Sequence, residues 1–212
     1  MEPTQTYTLY HYYRSSCSYR VRIALNLKNV PCQLHPIDLK VGEQHAAAYH
    51  QINPQDIVPA LVTPNGILTQ SLAIIEYLEE CYPTPALLPQ DSLLRAKVRA
   101  FAQAIACEVH PINNLRVLDY LRHDLHQPEA TVQDWYQYWV KLTFATLEQI
   151  SSNTAGIYTF GDTLSLADVA LIPQIYNARR YNVDMALFPT LSKIEKNCLI
   201  LPAFVQAHPD RC

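Results

Sequence analysis

The chain has 212 residues, 49% hydrophobic and 17% charged, which suits one large or two small globular domains and excludes a disordered chain. Its formal charge is -3, from 16 basic and 19 acidic residues with no run of Lys or Arg, so neither nucleic acid nor an anionic membrane is an expected partner. Residues 1–6 carry no apolar leader, and no stretch approaches the roughly 20 apolar residues of a membrane helix, so a cytoplasmic protein without a signal peptide is expected.

In chain order, Tyr7-Thr8-Leu9-Tyr10 is aromatic and β-branched and predicts a strand. A helix follows Ser15-Ser16, with Cys17, Val21, Ala24, Leu25 and Lys28 on one face and Arg20 and Arg22 off it. Asn29 closes that helix and Pro31 forbids its continuation. Gln33 to Ile37 alternates and predicts a second strand; a looser helix from about Gln44 to Gln51 ends at Asn53-Pro54. Two short strands, 60–63 and 67–69, flank Pro64-Asn65-Gly66, where the Asn-Gly pair tolerates positive φ and signals a hairpin. A helix from Ser71 to Tyr82 is expected to bury Leu72, Ile75 and Leu78. The order βαβαββα implies a mixed sheet with helices on its faces.

Pro83-Thr84-Pro85 and Pro89 suit neither helix nor central strand, so residues 84–91 are the expected linker between an α/β domain, 1–83, and an all-α domain, 92–212. Helical periods fill about 92–122, 131–152, 165–182 and 189–200. Trp135 and Trp139, spaced i, i+4, are expected in the core of the second of these.

Six cysteines, at 17, 32, 81, 107, 198 and 212, include no C-x-x-C pair and no zinc-site spacing with His. Each is read by default as a small buried hydrophobe, except Cys17. Ser15-Ser16-Cys17-Ser18 lies where a strand turns into a helix. There the first-turn amides and the helix dipole favour an anion and lower a thiol pKa, and serine hydroxyls can donate to a thiolate. Position alone favours a plainer reading, a serine capping the helix. A dithiol redox centre needs a second cysteine three residues on, where Arg20 stands, so a site that holds another molecule's thiolate stays open. Val58-Pro59 is either the first step of a strand or a cis-proline turn that presents the Val58 backbone to an extended peptide. Ser71 is either the N-cap of the third helix or, with Gln70, part of a compact carboxylate site. Ser165 to Asp168 reads as a capping box with a structural aspartate, and Arg179 as a solvated cation near a helix end. His123 and His126 lack a third ligand, so no metal is expected.

The run Ser15-Ser16-Cys17-Ser18-Tyr19-Arg20-Val21-Arg22-Ile23-Ala24-Leu25, then Asn53-Pro54, Val58-Pro59, Gln70 through Glu80, Pro83-Thr84-Pro85, Leu87 through Asp91, Asn114-Leu115, Thr154 through Tyr158, and Asp168 with Pro173-Gln174, resembles the zeta class of glutathione transferases. Members of that class include maleylacetoacetate isomerases, and the resemblance spans about Leu9 to Pro209. It implies a thioredoxin-like N-terminal domain followed by a C-terminal helical bundle. It also implies glutathione as cofactor, a small dicarboxylate as substrate, a homodimer, and cis–trans isomerisation by reversible thiolate addition to a double bond. By resemblance Ser15, Ser16 and Cys17 are catalytic and surround the sulfur, with Ser18, Tyr19 and Arg20 completing that contact. Val58 pairs with the cysteinyl backbone, Gln70 and Ser71 hold the γ-glutamyl carboxylate, and Gln44 reaches the glycyl end. His110, Asn114, Leu115 and Arg116 border the site, and Arg14 and Arg180 take the substrate carboxylates. Tyr19 replaces the usual Trp, and His110 and Arg116 replace smaller or uncharged polar residues, which leaves the substrate open. Maleylpyruvate isomerisation, conjugation of small electrophiles and a non-catalytic binding protein are the alternatives.

Overall fold

The computed structural model of the protein describes residues 7–212, so the reading of residues 1–6 lies outside the described residues. The first unit runs through Ala86 and takes in Leu201–Cys212 as well; the second is Leu87–Ile200.

The first unit follows the expected βαβαββα order: β1 (Tyr7–His11), α1 (Ser16–Leu27), β2 (Cys32–Pro36), α2 (Ala47–His50), β3 (Ala60–Thr63), β4 (Gly66–Thr69) and α3 (Ser71–Cys81). The sheet order is β2-β1-β3-β4, with β1 parallel to β2 and antiparallel to β3, and β3 antiparallel to β4. The hairpin forms where expected, but with another turn. Thr63 pairs with Gly66, so Pro64 and Asn65 are its central residues. Asn65 is not among the positive-φ residues; only Gly66 is, at φ 147. The Thr63 hydroxyl ties this turn by accepting from Asn65 N and donating to Gly66 O. In α3 the buried apolar residues are Ile74, Ile75 and Leu78, and Leu72 is only half-buried, so the inward stripe is shifted from the one expected.

Helix α1 is covered nearly all round: Ser16 and Ser18 through Leu25 are buried. Arg20 and Arg22, expected off the buried face, are both inside. At its end Lys28 donates to Tyr82 O (2.6 Å) and Pro85 O (3.0 Å) and pairs with Glu79 at 2.7 Å, which saturates its three N–H donors.

The second unit holds α4 (Ser92–Gln103), α5 (His110–Ile112), α6 (Leu115–Asp119), α7 (Glu129–Thr154), α8 (Leu166–Arg180) and α9 (Pro189–Leu199). The stretch expected as one helix over 92–122 is interrupted by π segments at Ala104–Val109 and Tyr120–Asp124 and by a restart at Asn114. Pro111 brings no N–H to the ladder, and Asn114 Oδ1 caps the new helix by accepting from Arg116 N. The buried stripe of α7 is Val132, Tyr136, Val140, Phe144 and Leu147. Trp135 and Trp139 flank it half-buried, edge-on to each other, and the Trp135 indole donates to Ile112 O at 3.0 Å. Arg179 is not simply solvated: its Nε donates to Glu195 Oε1 at 3.0 Å and Nη2 to Oε2.

Residues 201–212, expected within the helical domain, pack instead with the first unit through α10 (Pro202–Ala207). The reason lies in α1. Asn26 Nδ2 donates to Ala203 O (3.0 Å) and Arg22 Nε to Ala207 O (3.1 Å). Among the described residues no helix is long and apolar enough to cross a membrane. Of the six cysteines only Cys198 is fully buried.

Arg22 also holds the chain after β1. Its Nη2 donates to Tyr13 O at 3.0 Å and its Nη1 meets His11 Nδ1 at 3.3 Å. A guanidinium only donates, so Nδ1 accepts and the imidazole is neutral. Burial, then the Arg22 and His35 charges, push the His11 pKa down from 6.5 to about 4. Above pH 6.5 His11 is neutral folded or unfolded. Below it only the unfolded chain takes the proton, so stability falls from pH 6.5 toward 4, by about 1.4 kcal/mol per unit and about 3 kcal/mol at most. Urea titrations across that window are expected to show the slope in the native chain and a flatter one in His11→Asn.

Candidate functional site

Strand pairing brings four segments to one end of the sheet. Tyr10, near the end of β1, pairs with Ala60 at the start of β3, and Ala60 pairs with Thr69 at the end of β4. Pro36, the end of β2, lies opposite His11. The chain therefore leaves this end as the 12–17 turn, as the loop toward Gln44, and as Gln70-Ser71, and it enters β3 there through Val58-Pro59. All four belong to the first unit.

At the first segment, Ser15 is the N-cap of α1 in extended conformation, φ -66 and ψ 120. Its Oγ accepts from Ser18 N at 3.2 Å. The two readings of this serine are therefore compatible. Capping uses an acceptor lone pair and leaves the O–H proton to donate elsewhere. Cys17 is half-buried, with Sγ 3.7 Å from Arg20 Nη1. Ser16, Ser18, Tyr19 and Arg20, expected to touch a ligand, have buried side chains. Ser18 Oγ accepts from Tyr12 N at 3.5 Å, and Tyr19 packs edge-on against His208. These side chains support the turn from inside. Arg14, half-buried, stands 5.1 Å from the Tyr13 ring centroid.

The Val58–Pro59 peptide is cis. The β3 register begins at Ala60, so the Val58 peptide groups lie outside the ladder, while its side chain packs with Ile37 and Tyr49. Gln44 follows Gly42, whose φ of 76 suits a residue without Cβ, and sits buried in a 3₁₀ turn, Glu43–His45. Among the described residues its Oε1 has no hydrogen-bond partner. A buried amide oxygen left so costs about 1–3 kcal/mol, and a donor from a ligand would recover that cost.

The N-cap of α3 is Gln70, not Ser71, and no side chain caps this helix. Ser71 is its first helical residue, buried, and its Oγ accepts from Arg20 Nη1 at 3.3 Å. Gln70 has φ 67 and ψ 115, a conformation that L side chains rarely adopt, and its Nε2 donates to Gln55 Oε1 at 3.0 Å. Such strain, about 1 kcal/mol or more, marks places where function holds the backbone. Gln70→Gly is accordingly expected to raise unfolding stability by about 0.5–1 kcal/mol while weakening binding of a ligand carboxylate several-fold, read by urea denaturation and calorimetry. Gln55 carries no signal in a single sequence; it becomes visible only when the sheet brings its loop beside β4.

In the second unit, His110 Nε2 lies 3.4 Å from Asn114 Nδ2. Leu115 and Arg116, in the first turn of α6, are exposed. Arg180 is exposed near the end of α8, donates to Asn177 Oδ1 at 3.1 Å, and lies 5.9 Å from both the Tyr176 and the Tyr181 ring centroids.

A four-stranded mixed sheet in the first unit and an all-helical second unit are the architecture that the glutathione transferase resemblance implies. Residues 9–86 match the glutathione S-transferase N-terminal domain family. The probable maleylacetoacetate isomerase of Vibrio cholerae serotype O1 is 47% identical over 204 residues, 95% of each chain. A holo structure of maleyl pyruvate isomerase, a bacterial zeta-class glutathione S-transferase, superposes with TM-score 0.95 at 44% identity over 97% of this chain and 98% of that one. A maleylacetoacetate isomerase of Methylobacterium extorquens AM1, with malonate and GSH bound, gives TM-score 0.93 at 38% identity over 97% of both chains. The chain belongs to the glutathione transferase family, within the zeta class that holds these isomerases.

Proposed function

We propose that this protein isomerises maleylacetoacetate to its fumaryl isomer with glutathione as cofactor. The observation that carries the reading is the Ser15 hydroxyl: capping engages its lone pair and leaves its proton as a donor at the amino end of α1. Bound glutathione supplies a thiolate that adds reversibly to the cis double bond and departs once the new single bond has turned. Ser15 donates a hydrogen bond at the sulfur, and the α1 dipole favours its negative charge. Val58 offers peptide groups outside the ladder, Gln44 a buried oxygen lacking a donor, and Gln70-Ser71 an uncapped helix start suited to a carboxylate. Cys17 shapes the sulfur end beside Ser15. In the second unit His110, Asn114, Leu115 and Arg116 are assigned to the substrate side.

Arg14 and Arg180 are assigned to the substrate's carboxylates, which a guanidinium fork matches in shape and charge. Arg180→Ala is expected to raise KM for the dicarboxylate about tenfold and KM for glutathione less than twofold. Equal effects on both would remove Arg180 from this role. Similarity to maleyl pyruvate isomerase makes maleylpyruvate the second candidate substrate. The deciding assay compares turnover of maleylacetone, maleylpyruvate and a chloro-aromatic, each with and without glutathione. Fastest isomerisation of the maleyl ketone, and none without glutathione, is the expected result; faster conjugation of the chloro-aromatic would reject the reading.

A cytoplasmic homodimer completes the proposal. The support for the dimer is a largely apolar groove of about 550 Å³ between α4 and α7, on which Leu142 and Ile150 are exposed. Sedimentation is expected to give twice the chain mass.

A further inference from the structure

The Ile57 carbonyl accepts two short hydrogen bonds, from the Tyr49 hydroxyl at 2.6 Å and from Asn53 Nδ2 at 2.7 Å. Tyr49, in α2, and Asn53, just after it, are both buried. Neither donor is ambiguous. Gln55 N, which can only donate, meets Asn53 Oδ1 at 3.1 Å, so the Asn53 NH2 group is the end that faces Ile57. Burial pushes the Tyr49 phenol up to about 12, so at neutral pH it keeps its proton and donates it. Two donors engage both lone pairs of the Ile57 oxygen and leave that carbonyl little freedom to turn.

A peptide unit is planar, and in the trans form its N–H points opposite to its C=O. The Ile57–Val58 peptide is trans. Holding the Ile57 carbonyl toward Tyr49 and Asn53 therefore turns the Val58 N–H the other way. The Val58 side chain is fixed by the same residue, because it shares an apolar cluster with the Tyr49 ring and Ile37.

We infer that Tyr49 and Asn53 are positioning residues that aim the Val58 N–H at the cysteinyl carbonyl of glutathione. They act through the one peptide that both hold and do not touch the ligand. The inference rests on the glutathione reading, in which Val58 pairs with the cysteinyl backbone. It adds what keeps that donor aimed before the ligand arrives. A donor set in advance lowers the ordering cost of binding.

The test is calorimetry of the full chain with two thiols, glutathione and γ-glutamylcysteamine, which has no cysteinyl carbonyl. Tyr49→Phe keeps the ring in its apolar cluster and removes only the hydroxyl. It is expected to weaken glutathione binding about fivefold and γ-glutamylcysteamine binding less than about twofold. Steady-state kinetics should agree, with KM for glutathione raised about fivefold, and kcat and KM for the maleyl ketone changed less than about twofold. Asn53→Ser removes the other donor while its hydroxyl can still accept from Gln55 N, and it is expected to show the same selectivity. Circular dichroism checks folding, and Asn53→Ser decides the matter if Tyr49→Phe does not fold. Equal losses for both thiols, or no loss for glutathione, overturn the inference and leave the glutathione reading standing, because a purely structural role disturbs the site for either ligand. Loss of folding in both variants overturns it too. Failure of the native chain to bind glutathione sinks the reading, and this inference with it.

Discussion

Ser15→Asp is expected to fold as stably as the native chain and yet isomerise at least about a hundredfold more slowly, the loss typical of removing one donor from a developing or held negative charge. Aspartate caps helices as well as serine does, so its side-chain oxygen can take over the bond from Ser18 N that Ser15 Oγ now accepts at 3.2 Å. An ionised carboxylate only accepts, so what it lacks is a proton to donate. Ser15→Ala loses both, so it should show the same catalytic deficit plus about 1 kcal/mol of lost stability. Ser15→Thr keeps cap and hydroxyl and should retain most of the activity. Kinetics beside urea titrations of the three variants separate the roles. If Asp and Thr were equally active, the hydroxyl would have no part in the chemistry, and Ser15 would be a cap alone.

The largest stability effect is expected at Asp168, in the second unit. Its carboxylate is fully buried and accepts four hydrogen bonds: Thr159 N (2.9 Å) and Thr159 Oγ1 (2.7 Å) on one oxygen, Ser165 N (2.8 Å) and Ser165 Oγ (3.1 Å) on the other. Burial pushes this carboxyl up, against donors that pull it down. The value of the network therefore lies less in the charge than in satisfying Thr159 N and Ser165 N, which have no water to turn to. Asp168→Ala orphans both amides and leaves a cavity, and is expected to cost about 4 kcal/mol, a large part of the 5–15 kcal/mol that holds a typical domain together. Asp168→Asn keeps one acceptor but turns an NH2 group toward donors, so it should recover less than half. Urea midpoints measure both; a loss under about 1 kcal/mol for alanine would show that water or a shifted loop replaces the carboxylate.

How much of this was legible in the sequence depended on whether the cause was local. The serine at a strand-to-helix junction, the box closed by Asp168, and the alternation of short strands and helices in the first half are local patterns, and each was readable. Arg20 and Arg22 were not, because a period count assigns charges to the solvent face whatever covers them. The stretch Tyr19 to Leu25 did contain a warning: without its two arginines it has no polar side at all, the mark of a helix buried all round. What covers it is the chain's far end, residues 201–212, nearly 180 positions away, and nothing local announces that return. The Ser71 reading failed for a related reason. Serine before an apolar run is a fair cap, but here Gln70 takes that position at a φ no propensity would choose, and Ser71 turns inward to Arg20. The interrupted helix over 92–124 was half legible: Pro111 and Asn114 are visible breakers, whereas the π segments depend on packing within the second unit.

The most direct measurement is a crystal structure of the native chain grown with glutathione. The expected density puts the tripeptide sulfur within hydrogen-bonding distance of Ser15 Oγ, its backbone along Val58, and its γ-glutamyl carboxylate at the start of α3. A sulfur directed away from residues 15–17, with the tripeptide otherwise bound, would contradict the claim that a hydroxyl spared by its own capping bond holds the anion on which the chemistry turns.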